Sequence, residues 1–230
     1  IGKNTLGLWQ DVTNATVLSW VVNTAWPAVR LNEILARNDS AFNHSSTFPD
    51  AIELFNEGVV SVDLSGLRLT DDPNTPGKFT FPASTTLAAG ARLVVLANNP
   101  DGTPGFHLGF SLDQDGDGVY LFTRAIDGNT VLDSVVFGLQ LPDLSIGRVI
   151  GGDWVLNTPT LNAANVARAL GNTRNLKINE WLAGSVSPNP DDFVELFNPD
   201  ANPVALGGLH LSDQPIGAPA LSPIASLSFI

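Results

Sequence analysis

DAIELFNEGVVSVDLSGLRLTDDP, residues 50–73, is the most informative segment of this chain. Almost the same pattern returns as DFVELFNPDANPVALGGLHLSDQP at residues 192–215, with equivalent positions 142 residues apart throughout. A second match lies upstream, where LNEILA at residues 31–36 is similar to INEWLA at residues 178–183 with an offset of 147. The loop between the two blocks therefore varies in length. The chain therefore contains an internal repeat of one structural unit.

Apolar and polar residues alternate within the unit. Leu67 and Leu69 alternate with Arg68 and Thr70, which predicts a half-buried strand with the leucines inward and the polar pair outward. The turn at residues 63–66 ends in glycine, which reaches positive φ without steric cost. We expect the same turn and register at the matching positions of the second copy, because a slip of one residue would exchange the two faces.

Short stretches rich in strand formers recur along the first copy. They lie near residues 31–36, 51–56, 67–70, 78–81, 92–97, 119–122 and 131–137. Turn sequences separate them, and strands at this spacing predict an all-β sandwich. Residues 159–175 are the one helix candidate, where asparagines reduce the expectation to a single short helical turn. An α/β enzyme architecture is therefore not expected.

The order of these motifs resembles the lamin-tail domain, an immunoglobulin-like sandwich found at the end of nuclear lamins and, in tandem, in large bacterial surface or secreted proteins. The matching motifs are LNEIL at residues 31–35, IELFN at 52–56, VDLSGLRLTDD at 62–72, FTFPASTTLAAGARLVV at 79–95, GFSL at 109–112 and SIGR at 145–148. The resemblance covers residues 30–154, and residues 177–230 as the first part of a second copy. It implies an all-β, immunoglobulin-like sandwich with one complete copy and a truncated second copy.

Four regions follow from this resemblance. Residues 1–29 are the tail of a preceding module or an N-terminal extension, since WVVNT at residues 20–24 is similar to WVLNT at residues 154–158. Residues 30–156 form the sandwich (the first unit), residues 157–176 a linker, and residues 177–230 the first part of a second sandwich (the second unit).

The second unit has no counterpart of residues 92–148, so its apolar faces lack their covering sheet. Its unpaired strand edges also invite partners. We therefore expect the second unit to pack against the first unit or residues 1–26, or to be completed by another chain.

Composition limits the possible partners. The 230 residues include 23 acidic and 11 basic side chains, and a net charge of −12 disfavours nucleic acid and anionic lipid. No apolar run approaches the roughly 18 residues of a membrane span, so membrane insertion is not expected. The absence of cysteine excludes disulfides and thiolate metal sites. The absence of methionine and of a signal peptide indicates a piece of a longer protein.

Calcium is the one candidate cofactor. Asp113, Asp115 and Asp117 occupy positions one, three and five of an EF-hand-like loop, and carboxylate oxygens at that spacing suit this ion. Arg124 stands at position twelve, where an EF-hand has a bidentate glutamate, and a strand follows the loop instead of a helix. The alternative is an acidic hairpin turn whose glycines supply positive φ.

A carboxylate pair, Glu33 with Glu53, recurs as Glu180 with Glu195. Paired carboxylates can divide acid and nucleophile roles in glycoside hydrolysis. Alternation along the strands predicts partial burial, with Glu33 on the face of its leucine neighbours at positions 31 and 35. Two identical active sites in adjacent modules would be unusual, so structural glutamates hydrogen-bonded to backbone are favoured.

The three histidines, His44, His107 and His210, stand in no nucleophile or HExxH setting. We expect His107 to order a loop and His210 to lie on the surface, in the slot that Arg68 fills in the first unit. No catalytic residue is predicted.

Four tryptophans, Trp9, Trp20, Trp26 and Trp181, could form a face that stacks on sugars or binds protein. The alternative is core or interdomain packing. Trp181 replaces Ile34, an apparent core position, so packing is favoured for this residue.

The resemblance implies a non-catalytic structural or interaction module of a larger secreted or cell-surface bacterial protein. Its partner would be a protein or a surface polymer. The alternative is a carbohydrate-binding or targeting accessory domain of a hydrolase or nuclease. A hydrolase that uses the glutamates is a third hypothesis, and it lacks a sequence signature for the cleft that it needs.

Overall fold

The computed structural model describes residues 26–149, 151–184, 192–213 and 223–230. Its strands are β1 Val29–Leu35, β2 Asp50–Asn56, β3 Val62–Asp63, β4 Arg68–Thr70, β5 Phe79–Thr80, β6 Thr86–Leu87, β7 Arg92–Ala97, β8 Asp117–Phe122, β9 Val131–Phe137, β10 Ser145–Arg148, β11 Trp154–Thr158, β12 Val166–Ala167, β13 Lys177–Leu182 and β14 Phe193–Phe197. The strands predicted for the first unit are confirmed. Trp9 and Trp20 lie outside the described residues.

Two antiparallel sheets form the first unit, and one of them continues into the predicted linker through the end of β11 and through β12. One has the strand order β12-β11-β10-β1-β2-β7, the other the order β5-β4-β8-β9, and a short β3-β6 ladder adds to them. Their apolar faces share one core. It includes Leu31, Ile34, Ile52 and Leu54 from the first sheet and Leu69, Val119, Leu121, Val135 and Phe137 from the second. The predicted all-β sandwich is confirmed.

A β-bulge between Leu31 and Glu33 changes the predicted face of β1. Leu31 and Ile34 both join the core. Glu33 lies opposite Glu53 of β2. The simple alternation that grouped Glu33 with Leu31 is therefore wrong, because the bulge inserts one extra residue into the strand.

The turn before β4 forms as predicted. Ser65 N donates to Asp63 Oδ1 at 2.9 Å, and the φ of Gly66 is 77°. Leu67 and Leu69 are buried and Arg68 is half-buried, which confirms these parts of the register. The outward prediction for Thr70 is wrong.

Thr70 is fully buried, and its hydroxyl forms a local turn. The Thr70 hydroxyl donates to Asp72 O at 3.1 Å and accepts from Asp72 N at 3.0 Å. A threonine can enter a sheet interior when its hydroxyl is satisfied in this way.

The second unit repeats the first locally. β13 and β14 pair in the register of β1 and β2, with the bulge again preceding the glutamate. The turn also recurs, since Leu209 N donates to Leu206 O at 2.9 Å as Leu67 N does to Leu64 O. Leu209 is half-buried, whereas the prediction that Leu211 lies inward like Leu69 is wrong, because Leu211 is 44% exposed.

Residues 224–230, the C-terminal segment, join the second unit to the first. Gly138 N donates to Ser226 O at 3.0 Å, and Phe229 N donates to Leu139 O at 2.9 Å. Phe229 is 3% exposed and belongs to the core of the first unit. The prediction that the second unit packs against the first is confirmed for this segment.

The connecting residues between the units contain little helix. Val166, part of the apolar pattern that suggested a helix, lies in β12, and a single 3₁₀ turn spans Thr173–Asn175. Asn172 caps that turn by accepting from Arg174 N at 3.0 Å. No helix among the described residues is long and apolar enough to cross a membrane.

Candidate functional site

Glu33 and Glu53 lie opposite each other on β1 and β2, fully buried. Ser145 Oγ donates to Glu33 Oε1 at 2.5 Å. Asn32 Nδ2 donates to Glu53 Oε1 at 2.6 Å, and Arg92 Nε lies 3.4 Å from the same oxygen. The sheet thus supplies donors to both carboxyl groups.

The chain after β11 closes over this pair. Thr160 N donates to Glu33 Oε1 at 2.8 Å, and Asn162 N donates to Glu53 Oε2. Asn165 Nδ2 fixes the loop by donating to Asn32 O and Arg148 O, both at 2.8 Å. The loop that seals the carboxyl groups comes from the predicted linker, a role that sequence analysis missed.

Burial raises the pKa of Glu33 and Glu53, and the Glu33 charge raises the pKa of Glu53 further. The hydrogen bonds act in the opposite direction. Both carboxyl groups are sealed from solvent and accept from protein donors. The predicted hydrogen bonds to backbone are confirmed for Glu33 and Glu53, whereas the exposed Glu195 accepts from the side chain of Asn179.

Asp113, Asp115 and Asp117 lie in the turn that leads into β8, and two of their carboxylates are used within that turn. Asp115 N donates to Asp113 Oδ1 at 2.9 Å, and Asp113 N donates to Asp117 Oδ2 at 3.1 Å. The described residues contain no group of three or more histidine or acidic side chains arranged to hold a metal ion. Calcium at this turn stays a prediction.

A cavity of about 630 Å³ lies beside this turn, lined mainly by polar residues that include Asp39, Asp50, Asp71, Asp113 and Asp117. Lys78 Nζ lies 2.5 Å from Asp71 Oδ1. Burial raises the pKa of Asp50 to about 6. Carboxylates in this cavity are already engaged by turn amides and by a lysine.

His107 orders a loop, as predicted. Its Nδ1 lies 2.7 Å from Asn98 Oδ1, and its Nε2 lies 3.0 Å from Thr103 O. His44 Nε2 lies 3.2 Å from Thr103 Oγ1. His210 is exposed. Thr103 Oγ1 and Asp101 Oδ1 approach the same nitrogen, His107 Nε2, at 3.4 Å and 3.7 Å, whereas a Ser-His-Asp triad places its nucleophile and its carboxylate at opposite ring nitrogens.

The β13–β14 hairpin exposes several large apolar side chains. Ile178, Trp181, Val194 and Phe197 are all exposed, and the first three occupy the positions of the core residues Leu31, Ile34 and Ile52. The packing prediction for Trp181 is wrong, because no described strand covers this hairpin as the four-stranded sheet covers β1 and β2.

The joint between the units also contains an apolar cleft of about 250 Å³. Trp154, Leu170, Ala205, Leu227 and Phe229 line it with the backbone of neighbouring residues. Packing of the second unit on the first was predicted, but the residues of this cleft were not. Leu206 N donates to Ser228 O as Leu64 N does to Thr85 O, so Leu227 and Phe229 take the places of Ser84 and Thr86. This offset of 143 differs by one residue from the offset of 142 in the sequence repeat, and only the hydrogen bonds show it.

Comparison with known protein families gives a match over half of the chain. A model of the lamin tail domain matches residues 23–138, from just before β1 to just after β9. No curated protein and no solved structure matches the chain.

Proposed function

This chain belongs to the lamin-tail domain family, a family of non-catalytic, immunoglobulin-like modules, and we propose that it is a tandem structural or interaction module of a larger secreted or cell-surface bacterial protein. The second sandwich begins at residue 177, after the linker of residues 157–176. The partner is a protein or a surface polymer, and neither nucleic acid nor membrane insertion is involved.

The observation that carries this proposal is the joint between the units. The C-terminal segment inserts Phe229 into the core of the first unit and pairs with the backbone that follows β9. Asn172 N and Asn175 Nδ2 also donate to Asp200 of the second unit, at 2.9 Å each. Such contacts hold neighbouring modules in a fixed relation, which suits a structural or presenting role.

Two measurements test the proposal. Antibodies raised against the chain should label intact cells of the producing bacterium, and labelling that needs permeabilised cells would contradict the surface location. The purified chain should sediment with cell-envelope material without releasing product from it. Turnover of a glycan or phosphodiester that is lost in Glu33→Gln or Glu53→Gln would instead show an enzyme.

Exposed Trp181 favours a second candidate, a carbohydrate-binding or targeting accessory domain of a hydrolase or nuclease. Its ring is 68% exposed beside other apolar side chains of the hairpin, as a sugar-stacking residue must be. Specific retention on a glycan array that Trp181→Ala abolishes would support this candidate. Retention on envelope protein alone would favour the interaction module.

A further inference from the structure

Two loops at one end of the first unit bring His44 and His107 together. His44 lies in the loop between β1 and β2, and His107 lies in the loop after β7. Their ring centroids are 6.2 Å apart, with an angle of 73° between the ring planes. Thr103 Oγ1 lies 3.2 Å from His44 Nε2 and 3.4 Å from His107 Nε2. Two imidazole nitrogens therefore converge on one point.

Backbone hydrogen bonds fix the position of both histidines. His44 N donates to Thr47 O at 2.8 Å, and Thr47 N donates back to His44 O at 2.9 Å. Beside His107, Leu96 N of β7 donates to Phe106 O at 2.8 Å. The His107 side chain is 7% exposed, so its ring is also held by its surroundings. The convergence of the two rings is therefore built into the loops.

The surroundings of His107 Nε2 suit a cation. Thr103 O lies 3.0 Å from this nitrogen, and Asp101 Oδ1 lies 3.7 Å from it. The Thr103 hydroxyl donates its one proton to Asp101 Oδ1 at 2.7 Å, so it offers none to the rings. The other ring nitrogen, Nδ1, lies 2.7 Å from Asn98 Oδ1. When Nδ1–H donates to that oxygen, the Nε2 lone pair faces oxygen atoms, and a cation between them removes the repulsion.

We propose that His44 Nε2 and His107 Nε2 together bind a zinc ion, a role separate from the proposed function. Thr103 and water supply oxygen ligands, since the described residues contain no group of three or more histidine or acidic side chains arranged for a metal. Imidazole nitrogen suits zinc, whereas calcium takes oxygen ligands. Two imidazoles on one tetrahedral zinc ion have centroids about 5 Å apart, so the rings close by about 1 Å from their separation of 6.2 Å. The ion thus joins the two loops.

Calorimetry tests the site with zinc chloride, titrated into the 230-residue chain after a chelator has removed metal and without a histidine tag. We expect saturable binding of one zinc ion per chain. His44→Ala and His107→Gln should each weaken the affinity at least about 10-fold, because each removes a nitrogen ligand. His210→Ala is the matched control and should leave the affinity unchanged, since this exposed histidine lies in the second unit.

Imidazole nitrogen NMR of the native chain gives a second measurement that needs no variant, and it decides the question if either variant fails to fold. Zinc should shift the Nε2 resonances of His44 and His107 together and leave those of His210 in place. Shifts confined to one ring would contradict a shared ion. If His107 kept protons on both ring nitrogens in excess zinc, a proton would be the cation at this site, and the proposal would be wrong.

Two results of the calorimetry would also overturn the proposal. They are the absence of saturable zinc binding and zinc binding that both histidine variants retain. If binding disappeared only when Asp113, Asp115 and Asp117 were replaced by asparagine, the ion would lie at the turn before β8 instead.

Discussion

Ile34 and Trp181 occupy the same position of the repeated hairpin, yet Ile34 is 1% exposed and Trp181 is 68% exposed. Each lies opposite an aliphatic residue of the neighbouring strand, Ile52 in the first unit and Val194 in the second. The hairpins themselves are therefore alike. The difference arises because the four-stranded sheet packs over the first hairpin, whereas no described strand packs over the second.

Phe229→Ala should destabilise the chain by about 3–5 kcal/mol, because it removes a buried ring from the core and leaves a cavity. Urea denaturation gives the change in the free energy of unfolding. The matched control is Phe48→Ala. Phe48 is 43% exposed, so its replacement should lower the free energy of unfolding by less than about 1 kcal/mol. Equal losses in the free energy of unfolding for the two variants would contradict the burial of Phe229 in the core of the first unit.

Gly147→Ala should cost about 1–3 kcal/mol through overpacking. A Cβ at Gly147 would lie 2.1 Å from Asn157 Nδ2 and 2.7 Å from Asn165 Nδ2, and Asn165 holds the loop over the buried glutamates. Gly77→Ala is the control, because its nearest neighbour would be 3.9 Å away. Thermal unfolding should separate the two variants, and an unchanged melting temperature for Gly147→Ala would show that the loop closes elsewhere.

Asp50→Asn should change how stability depends on pH. Burial raises the pKa of Asp50 from 3.8 to about 6. The contribution of this group to the free energy of unfolding is therefore fully present below about pH 3.8 and is lost as the pH rises through 6. The variant should therefore gain stability relative to the native chain between about pH 4 and about pH 7. Urea denaturation at these two pH values measures the gain, with Asp115→Asn as an exposed control. If the free energy of unfolding of Asp50→Asn differed from that of the native chain by the same amount at both pH values, Asp50 would not titrate in this window.

Calcium calorimetry tests the turn before β8. Any heat of calcium binding should disappear when Asp113, Asp115 and Asp117 are all replaced by asparagine, because their carboxylates supply the charge at this turn. Replacing Asp127 by asparagine is the control, since that carboxylate pairs with Arg124 at 2.7 Å outside the turn. Heat that persists in the triple variant would exclude the site.

Much of the candidate site could be predicted from the sequence. The repeat located Glu33, Glu53 and their counterparts, and the backbone hydrogen bonds predicted for these carboxyl groups form in the first unit. The closing loop could not be predicted, because Thr160 and Asn162 are more than 100 residues from the carboxyl groups that they bind. Local periodicity does not predict contacts between residues so far apart in the sequence.

Local sequence patterns were enough to predict seven strands of the first unit, the turn at residues 63–66 and the recurrence of the unit. These features depend on alternation, glycine placement and neighbouring residues, and the hairpin and its turn occur in both copies. Which faces are buried depends on how the strands pack in three dimensions. Thr70 is inside with its hydroxyl bonded to Asp72, Phe229 is inside because it enters the first unit, and Trp181 is outside because no described strand covers it. Burial depends on strands that are distant in the chain, so similar local patterns give a core in one unit and an exposed hairpin in the other.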